Sequence, residues 1–218
     1  MDSDAAFFSD VDTATLGDAA TALGLNLIME GPRPNAPETY PRFAGPAATM
    51  VFAPVRNPGA KALFSLYDAV EEVPEGSVVV VDAAGSPLAV WGGGASSVCK
   101  RRGALGCVID GATRDLEALR DLDFPVFSKS VWSLAFPKRL EVVAKDVSVT
   151  CCGVRVEPGD IVVADIDGVA VVPQSSLKKV KRQVTRIRDI ENEVKGRIAQ
   201  GESMRDLFPR LAQKFDTD

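Results

Sequence analysis

The sequence predicts an α/β fold in which hairpins close a sheet and a long helix ends the chain. Three observations carry that expectation: strand and helix patterns alternate from residue 43 to residue 128, residues 78–81 are four consecutive valines, and residues 175–199 keep apolar side chains at three- and four-residue steps with no proline. Such alternation belongs to α/β domains, and a valine run marks a strand buried on both faces. At roughly 150 residues per domain, 218 residues make one α/β domain, residues 1–174, with a helical extension, residues 175–218, packed on the domain or on a neighbouring subunit.

Taken in order, Leu16, Ala19, Ala20, Leu23 and Leu27 fall at helical spacing after Asp12 or Thr13, either of which can cap, so residues 12–27 read as an amphipathic helix. Residues 31–41 hold four prolines, whose fixed φ and missing donors point to a surface loop. A strand at 43–55, a helix at 60–70 and the valine strand at 78–81 follow. Next come a glycine-rich turn, a helix at 96–102, a strand at 106–109, a polar turn at 110–115, a helix at 116–122 and a strand at 126–128. Beyond Pro137, residues 140–149, 153–156, 161–165 and 169–172 are short strands between Gly, Pro and Asp turns, read as antiparallel hairpins. The last helix carries Leu177, Val180, Val184, Ile187, Ile190, Val194 and Ile198 on one face and is ~37 Å long at 1.5 Å per residue, enough to reach a neighbour.

Composition narrows the chemistry. With 46% apolar residues and 25% charged ones the chain can bury a sizeable core. A net charge of −5 is the wrong sign for tracking a phosphate backbone, so no nucleic-acid partner is expected. The start Met1-Asp2-Ser3-Asp4 is acidic where a leader would be basic, and no apolar run approaches ~18 residues. A cytoplasmic protein with no membrane partner is the expectation. Histidine is absent, which removes Ser-His-Asp and Cys-His hydrolysis and the imidazole zinc sites. Proton transfer is left to Asp, Glu, Lys, Cys, Tyr40, Tyr67 or metal-bound water, and a metal would be a hard ion on oxygen ligands. Cys99, Cys107, Cys151 and Cys152 form no CxxC pair and read as reduced, buried residues, the last two facing opposite ways if they lie in a strand.

Three constellations could carry chemistry. Gly92, Gly93, Gly94 and Ala95 follow a strand and open a helix, so their amides can approach an anion; a tight connection is the alternative. Arg114 and Asp115 follow another strand, at the edge where open α/β sheets place ligands. Arg114 offers a planar fork for a carboxylate or enolate and Asp115 a hard-metal ligand, unless the pair only caps the next helix. Asp160, Asp165 and Asp167 flank hairpins and read as turn residues.

The ordered run of Trp91-Gly92, Gly103, Gly106, Asp110-Gly111, Arg114-Asp115, Phe124-Pro125-Val126-Phe127, Pro158-Gly159-Asp160 and Asp165-Ile166-Asp167-Gly168-Val169 resembles the RraA-like family. The likeness extends to Asp18-Ala19, to Gly45-Pro46-Ala47-Ala48-Thr49 and to the end of the last helix. That family includes 4-hydroxy-4-methyl-2-oxoglutarate and 4-carboxy-4-hydroxy-2-oxoadipate aldolases. The resemblance implies a swivelling β/β/α domain, a homotrimer or hexamer with sites between subunits, a Mg²⁺ or Mn²⁺ cofactor, and cleavage of a small 2-oxo acid to pyruvate or decarboxylation of oxaloacetate. By position it implies that Gly92, Gly93, Gly94 and Ala95 cradle the substrate, that Arg114 binds it and acts on the enolate, and that Asp115 holds the metal. It further implies that Glu193, rather than Glu191, is given by a neighbouring subunit to order the catalytic water.

One position departs from the family. Where the aldolases carry an acidic residue that orders water near the metal, this chain has Gly93, and loss of such a partner typically costs 10–100-fold. Decarboxylation, which needs no base for a 4-hydroxyl, is therefore expected to survive better than aldol cleavage. Other relatives are regulators that bind a ribonuclease, so a non-catalytic protein-binding role is the alternative. A Schiff-base aldolase on Lys61, Lys100 or Lys129 is a third reading, weakened by the lack of an evident apolar pocket around any of them.

Overall fold

Buried alternation decides which residues become the central sheet. The computed structural model describes residues 3–35, 42–56 and 65–217. In chain order its elements are α1 (Ser3–Phe8), α2 (Thr13–Leu23), β1 (Arg33–Pro34), β2 (Phe43–Pro54), α3 (Leu66–Glu71), β3 (Val78–Trp91), α4 (Gly93–Arg101), β4 (Gly106–Thr113), α5 (Leu116–Asp121), β5 (Val126–Val131), β6 (Leu140–Lys145), β7 (Val149–Cys151), β8 (Val154–Val156), β9 (Ile161–Asp165), β10 (Gly168–Val172), α6 (Leu177–Ala199) and α7 (Met204–Ala212).

Strands β2, β3, β4 and β5 are parallel neighbours, and the full order is β1-β5-β4-β3-β2-β9-β10. Strand β2 is long enough to take two antiparallel partners on its other side, β9 through residues 43–46 and β6 through residues 50–54. The valine run shows how the layers arise, because successive side chains in a strand face opposite ways. Val79 and Val81 pack with Val70, Cys99 and Leu119 of the three crossover helices. Val78 and Val80 pack on the other face with Cys151, Val154 and Val156 of the β7–β8 hairpin. Helices on one face and a hairpin on the other give the β/β/α layering expected.

A third core lies at the sheet's antiparallel end. There Phe8, Leu16, Val180, Val184 and Ile187 of α1, α2 and α6 close over Ile161, Val163 and Ala170. Helix α6 has 23 residues, about 35 Å at 1.5 Å per residue. Its first half packs on this core, and its second half places Ile190 and Val194 against Leu207 of α7.

Several elements differ from expectation for local reasons. Helix α2 stops at Leu23 because Gly24 takes the left-handed C-cap conformation, φ 61°, and Leu27 sits beyond it as a buried residue whose carbonyl accepts from Val171 N–H at 2.8 Å. Arg33 and Pro34 pair with β5 instead of looping freely, as a sheet edge permits for proline; residues 36–41 lie outside the described part. The helix expected at 60–70 is seen from Leu66, with residues 60–64 outside the described part. Residues 110–113, expected as a turn, continue β4 and are buried, because β3 pairs with all four and β5 with Ala112 and Thr113. The N-terminal helix α1 has no counterpart in the sequence reading.

Asp165 ties the third core together. Its carboxylate, only 6% exposed, accepts from Thr13 N–H at 2.7 Å, Thr13 Oγ1 at 2.6 Å and Asp167 N–H at 3.0 Å. Asp160 likewise accepts from the Glu157 and Gln174 amides, at 2.9 Å each, so the turn reading of these aspartates holds. Replacing Asp165 with Ala strands buried donors that had a charged acceptor, and is expected to cost about 3 kcal/mol, lowering Tm by roughly 6–12 °C for a chain of this size. A thermal melt unchanged from wild type would contradict that role.

Candidate active site

Strands β3 and β4 end side by side, Trp91 in register with Thr113. Arg114 N–H donates to Trp91 O at 3.1 Å and Thr113 Oγ1 donates to it at 3.3 Å. The segments that follow these strands, residues 92–95 and residues 114–115, are thereby brought together at the carboxyl edge of a parallel sheet, where open α/β sheets place their ligands. Trp91 fixes the turn further, its indole Nε1 donating to Ser96 Oγ at 2.9 Å.

The glycines are there for room. None of Gly92, Gly93 and Gly94 has a positive φ. A Cβ on Gly92 would lie 2.4 Å from Asp115 Oδ2, and one on Gly94 would lie 2.6 Å from Tyr67 Oη. Helix α4 begins at Gly93, with Gly92 as its N-cap, so the glycine run is the helix's first turn and not a loop before it. The first amides of a helix have no internal acceptor; Gly93 N–H donates to Asp115 Oδ2 at 3.2 Å, while Gly94 and Ala95 line the cleft beside it. Of the four residues expected to cradle substrate, Gly92, Gly94 and Ala95 therefore face the cleft, and Gly93 is buried with its amide on Asp115. A Cβ at Gly93 would meet the Ala118 Cβ at 3.0 Å and sit 4.0 Å from Asp115 Oδ2, so an acid placed there would stand next to the Asp115 carboxylate.

Asp115 is the decisive residue. It occupies the N-cap position of α5 with φ 63° and ψ 42°, and its side chain makes no capping bond. A capping aspartate takes extended backbone angles and accepts from the second or third amide of its helix. Here the left-handed backbone, which Asp tolerates better than most residues, turns the carboxylate away from α5 and onto the start of α4. Arg114 Nε lies 3.8 Å from Asp115 Oδ2, both side chains 44% exposed. Asp115 thus stands at the N-cap position of α5 without making the side-chain bond of a capping aspartate.

These groups open onto a cleft of about 660 Å³ lined also by Ser65, Tyr67, Trp91, Phe136, Lys138 and Glu141. Sequence reading counted Tyr67 only as a possible proton carrier and passed over Lys138 and Glu141. No motif marks them; tertiary packing brings them in. Glu193 is not among the cleft's lining residues. It is an ionised surface carboxylate, held below its ordinary pKa by the Arg210 hydrogen bond at 2.8 Å with Arg197 adding to it. Glu191 pairs with Lys214 and Lys195.

The remaining reactive side chains are accounted for elsewhere. Lys129 Nζ pairs with Asp110 Oδ1 at 2.8 Å, a bond that raises its pKa, the wrong direction for an amine nucleophile. Lys100 Nζ is held by the carbonyl of Leu122, and Lys61 lies outside the described residues. Asp110 Oδ2 accepts from Cys152 N–H at 2.8 Å, so this aspartate serves the β7–β8 hairpin. All four cysteines are free and buried. Burial pushes the Cys99 thiol up to about 12 and Cys107 well above its ordinary value. Cys151 and Cys152 do not face opposite ways: Cys152 leaves the strand at φ 51° and the two sulfurs lie 3.9 Å apart.

Among the described residues no three His, Cys, Asp or Glu side chains cluster as a metal site. Magnesium does not require such a cage, since it keeps several waters and binds one or two carboxylates plus substrate oxygens. A single carboxylate, braced by an amide and facing a cleft large enough for ion, water and ligand, fits an ion of that kind. No helix among the described residues is long and apolar enough to cross a membrane.

Comparison with known proteins converges on one family. A family profile described as RraA-like, Aldolase/RraA, matches residues 13–171. An uncharacterised protein of Methanocaldococcus jannaschii is 44% identical over 120 residues, 55% of this chain and 57% of its own, so the chain spans little more than half of that relative. A protein of Halalkalibacterium halodurans, provisionally named 4-hydroxy-4-methyl-2-oxoglutarate aldolase, is 33% identical over 147 residues, 65% of this chain and 67% of its own. The crystal structure of Streptomyces coelicolor RraAS2, described as an unusual member of the RNase ES inhibitor RraA protein family, superposes with a TM-score of 0.79 at 30% identity, covering 89% of this chain and 96% of that one.

Proposed function

The chain belongs to the RraA-like family, and from that premise and the geometry of the cleft we propose that it is a divalent-metal-dependent carbon–carbon lyase, cleaving short 2-oxo acids such as 4-hydroxy-4-methyl-2-oxoglutarate to pyruvate and decarboxylating oxaloacetate. The observation that carries this reading is the backbone of Asp115, whose left-handed conformation takes the carboxylate out of a capping role and aims it into the cleft beside Arg114.

In this reading the amides of Gly94 and Ala95 receive the carboxylate of the 2-oxo acid. Asp115 would hold Mg²⁺ or Mn²⁺, which when bound supplies Lewis acidity toward the substrate's carbonyl oxygen. When the bond between C3 and C4 breaks, its electron pair moves into the C2–C3 bond and negative charge gathers on the C2 oxygen. Arg114, a planar donor at the cleft wall, stabilises that charge. Loss of carbon dioxide from oxaloacetate needs no base; the enolate left behind takes a proton from water at C3 to give pyruvate. Aldol cleavage also needs a base for the 4-hydroxyl; Glu193 can take that part only from a neighbouring copy, since its own chain places it outside the cleft, which is consistent with the proposed trimer or hexamer. A regulatory, non-catalytic role is favoured by the description of the Streptomyces relative, and it predicts no turnover at all.

Pyruvate release from oxaloacetate and from 4-hydroxy-4-methyl-2-oxoglutarate tests the reading. Turnover is expected with Mg²⁺ or Mn²⁺ and none in EDTA, and Arg114→Lys, which replaces a fork with a point charge, should lower kcat by about 100-fold or more. Full activity in EDTA, or an unchanged kcat in a folded Arg114→Lys protein, would contradict it. Gly93→Asp should raise the ratio of aldol cleavage to decarboxylation by about tenfold, once the Ala118 contact has given by a few tenths of an ångström. A folded variant with the wild-type ratio would reduce Gly93 to a packing glycine.

A further inference from the structure

We propose that the Tyr67 hydroxyl is a third donor to the carboxylate of the 2-oxo acid, completing the cradle begun by the Gly94 and Ala95 amides. The inference rests on the lyase reading above and names a binding residue that no motif in the sequence marks.

Tyr67 is held by a helix that cannot easily turn. Ser65 and Asp68 form a reciprocal capping box at the start of α3, and Leu66, Ala69 and Val70 bury into the helix-side core. That fixes the helix by its apolar face and leaves Tyr67 on the other, 57% exposed. The phenol does not simply point into water. Its Oη lies 2.6 Å, and its Cε1 and Cζ 3.3 Å, from the place a Cβ on residue 94 would take, so the ring rests against the first turn of α4 in space that only a glycine leaves. It lines the same cleft as Arg114 and Asp115.

The chemistry of this contact is directional. A carboxylate has two oxygens and about four lone-pair sites, more than two amides can fill. A phenol at the same end of the helix supplies a further O–H, and such charge-assisted bonds are short and strong. The group it would hold is the C1 carboxylate, which is present in substrate, enolate and pyruvate alike. An interaction equal in ground and transition states changes KM and leaves kcat alone. This distinguishes a carboxylate donor from a proton donor to the reacting carbon.

The test couples two substitutions. Tyr67→Phe should raise the pyruvate Kd in the presence of Mg²⁺, and the KM for oxaloacetate, about tenfold, with kcat held within about twofold. Gly94→Ala, whose methyl takes the hydroxyl's place, should do the same. In the double variant the nearest ring carbons lie 3.3 Å from the methyl, the exposed ring has only to give by a few tenths of an ångström, and no further loss is expected. If wild type binds pyruvate and Tyr67→Phe binds it equally well, if the two losses multiply, or if kcat falls instead of KM rising, the assignment of Tyr67 is wrong while the lyase reading stands. If wild type with Mg²⁺ binds no pyruvate, the lyase reading falls and takes this inference with it.

Discussion

The pairing of β3 with β4 at their carboxyl ends is the constraint on which the site depends. Trp91 O accepts from both the Arg114 amide and the Thr113 hydroxyl, so two chain segments separated by a helix leave the sheet side by side. One continues into a glycine-started helix and the other turns left-handed at Asp115. Their meeting is sealed by the hydrogen bond from Gly93 N–H to Asp115 Oδ2. A Cβ at residue 92 would collide with that carboxylate, one at residue 94 with Tyr67, and one at residue 93 would crowd Ala118, which is why three glycines stand where a helix would ordinarily begin with better helix formers.

Around this junction the fold separates buried, hydrogen-bonded carboxylates from one that is open to the cleft. Asp110, Asp160 and Asp165 are buried and each accepts backbone N–H bonds, so they stabilise the hairpins and the packing of α2. Asp115 is half-exposed and faces the cleft. The distinction matters in a chain without histidine, whose cysteines are all buried: the lyase chemistry proposed above would have few other side chains to draw on.

The legible part of the fold was the part governed by local periodicity. Four valines announce a strand covered on both faces, and the seven apolar positions from Leu177 to Ile198 announce α6. The boundaries that failed were set by single residues or by pairing. Gly24 ends α2 four residues early. Asp110-Gly111, a strong hairpin signal in isolation, is absorbed into β4 because β3 pairs with it and β5 resumes pairing at Ala112. In the site, Arg114 and Asp115 were legible as a pair, but the left-handed backbone at Asp115 and the missing side-chain cap bond were not, because no local pattern marks them. Tyr67, Lys138 and Glu141 carry no spacing signal relative to either segment, and only the packed structure brings them to the cleft.

In the proposed site Asp115 serves as a metal ligand, a role separate from capping α5. That role is tested most directly by titrating Mn²⁺, followed by its electron paramagnetic resonance, into wild type and into Asp115→Asn, which keeps the shape and tolerance of left-handed angles but removes the charge. The substitution is expected to weaken Mn²⁺ binding by more than about tenfold while leaving the thermal melt in place. Mn²⁺ bound as tightly by Asp115→Asn, with a lowered melting temperature, would show that the residue serves the helix after all.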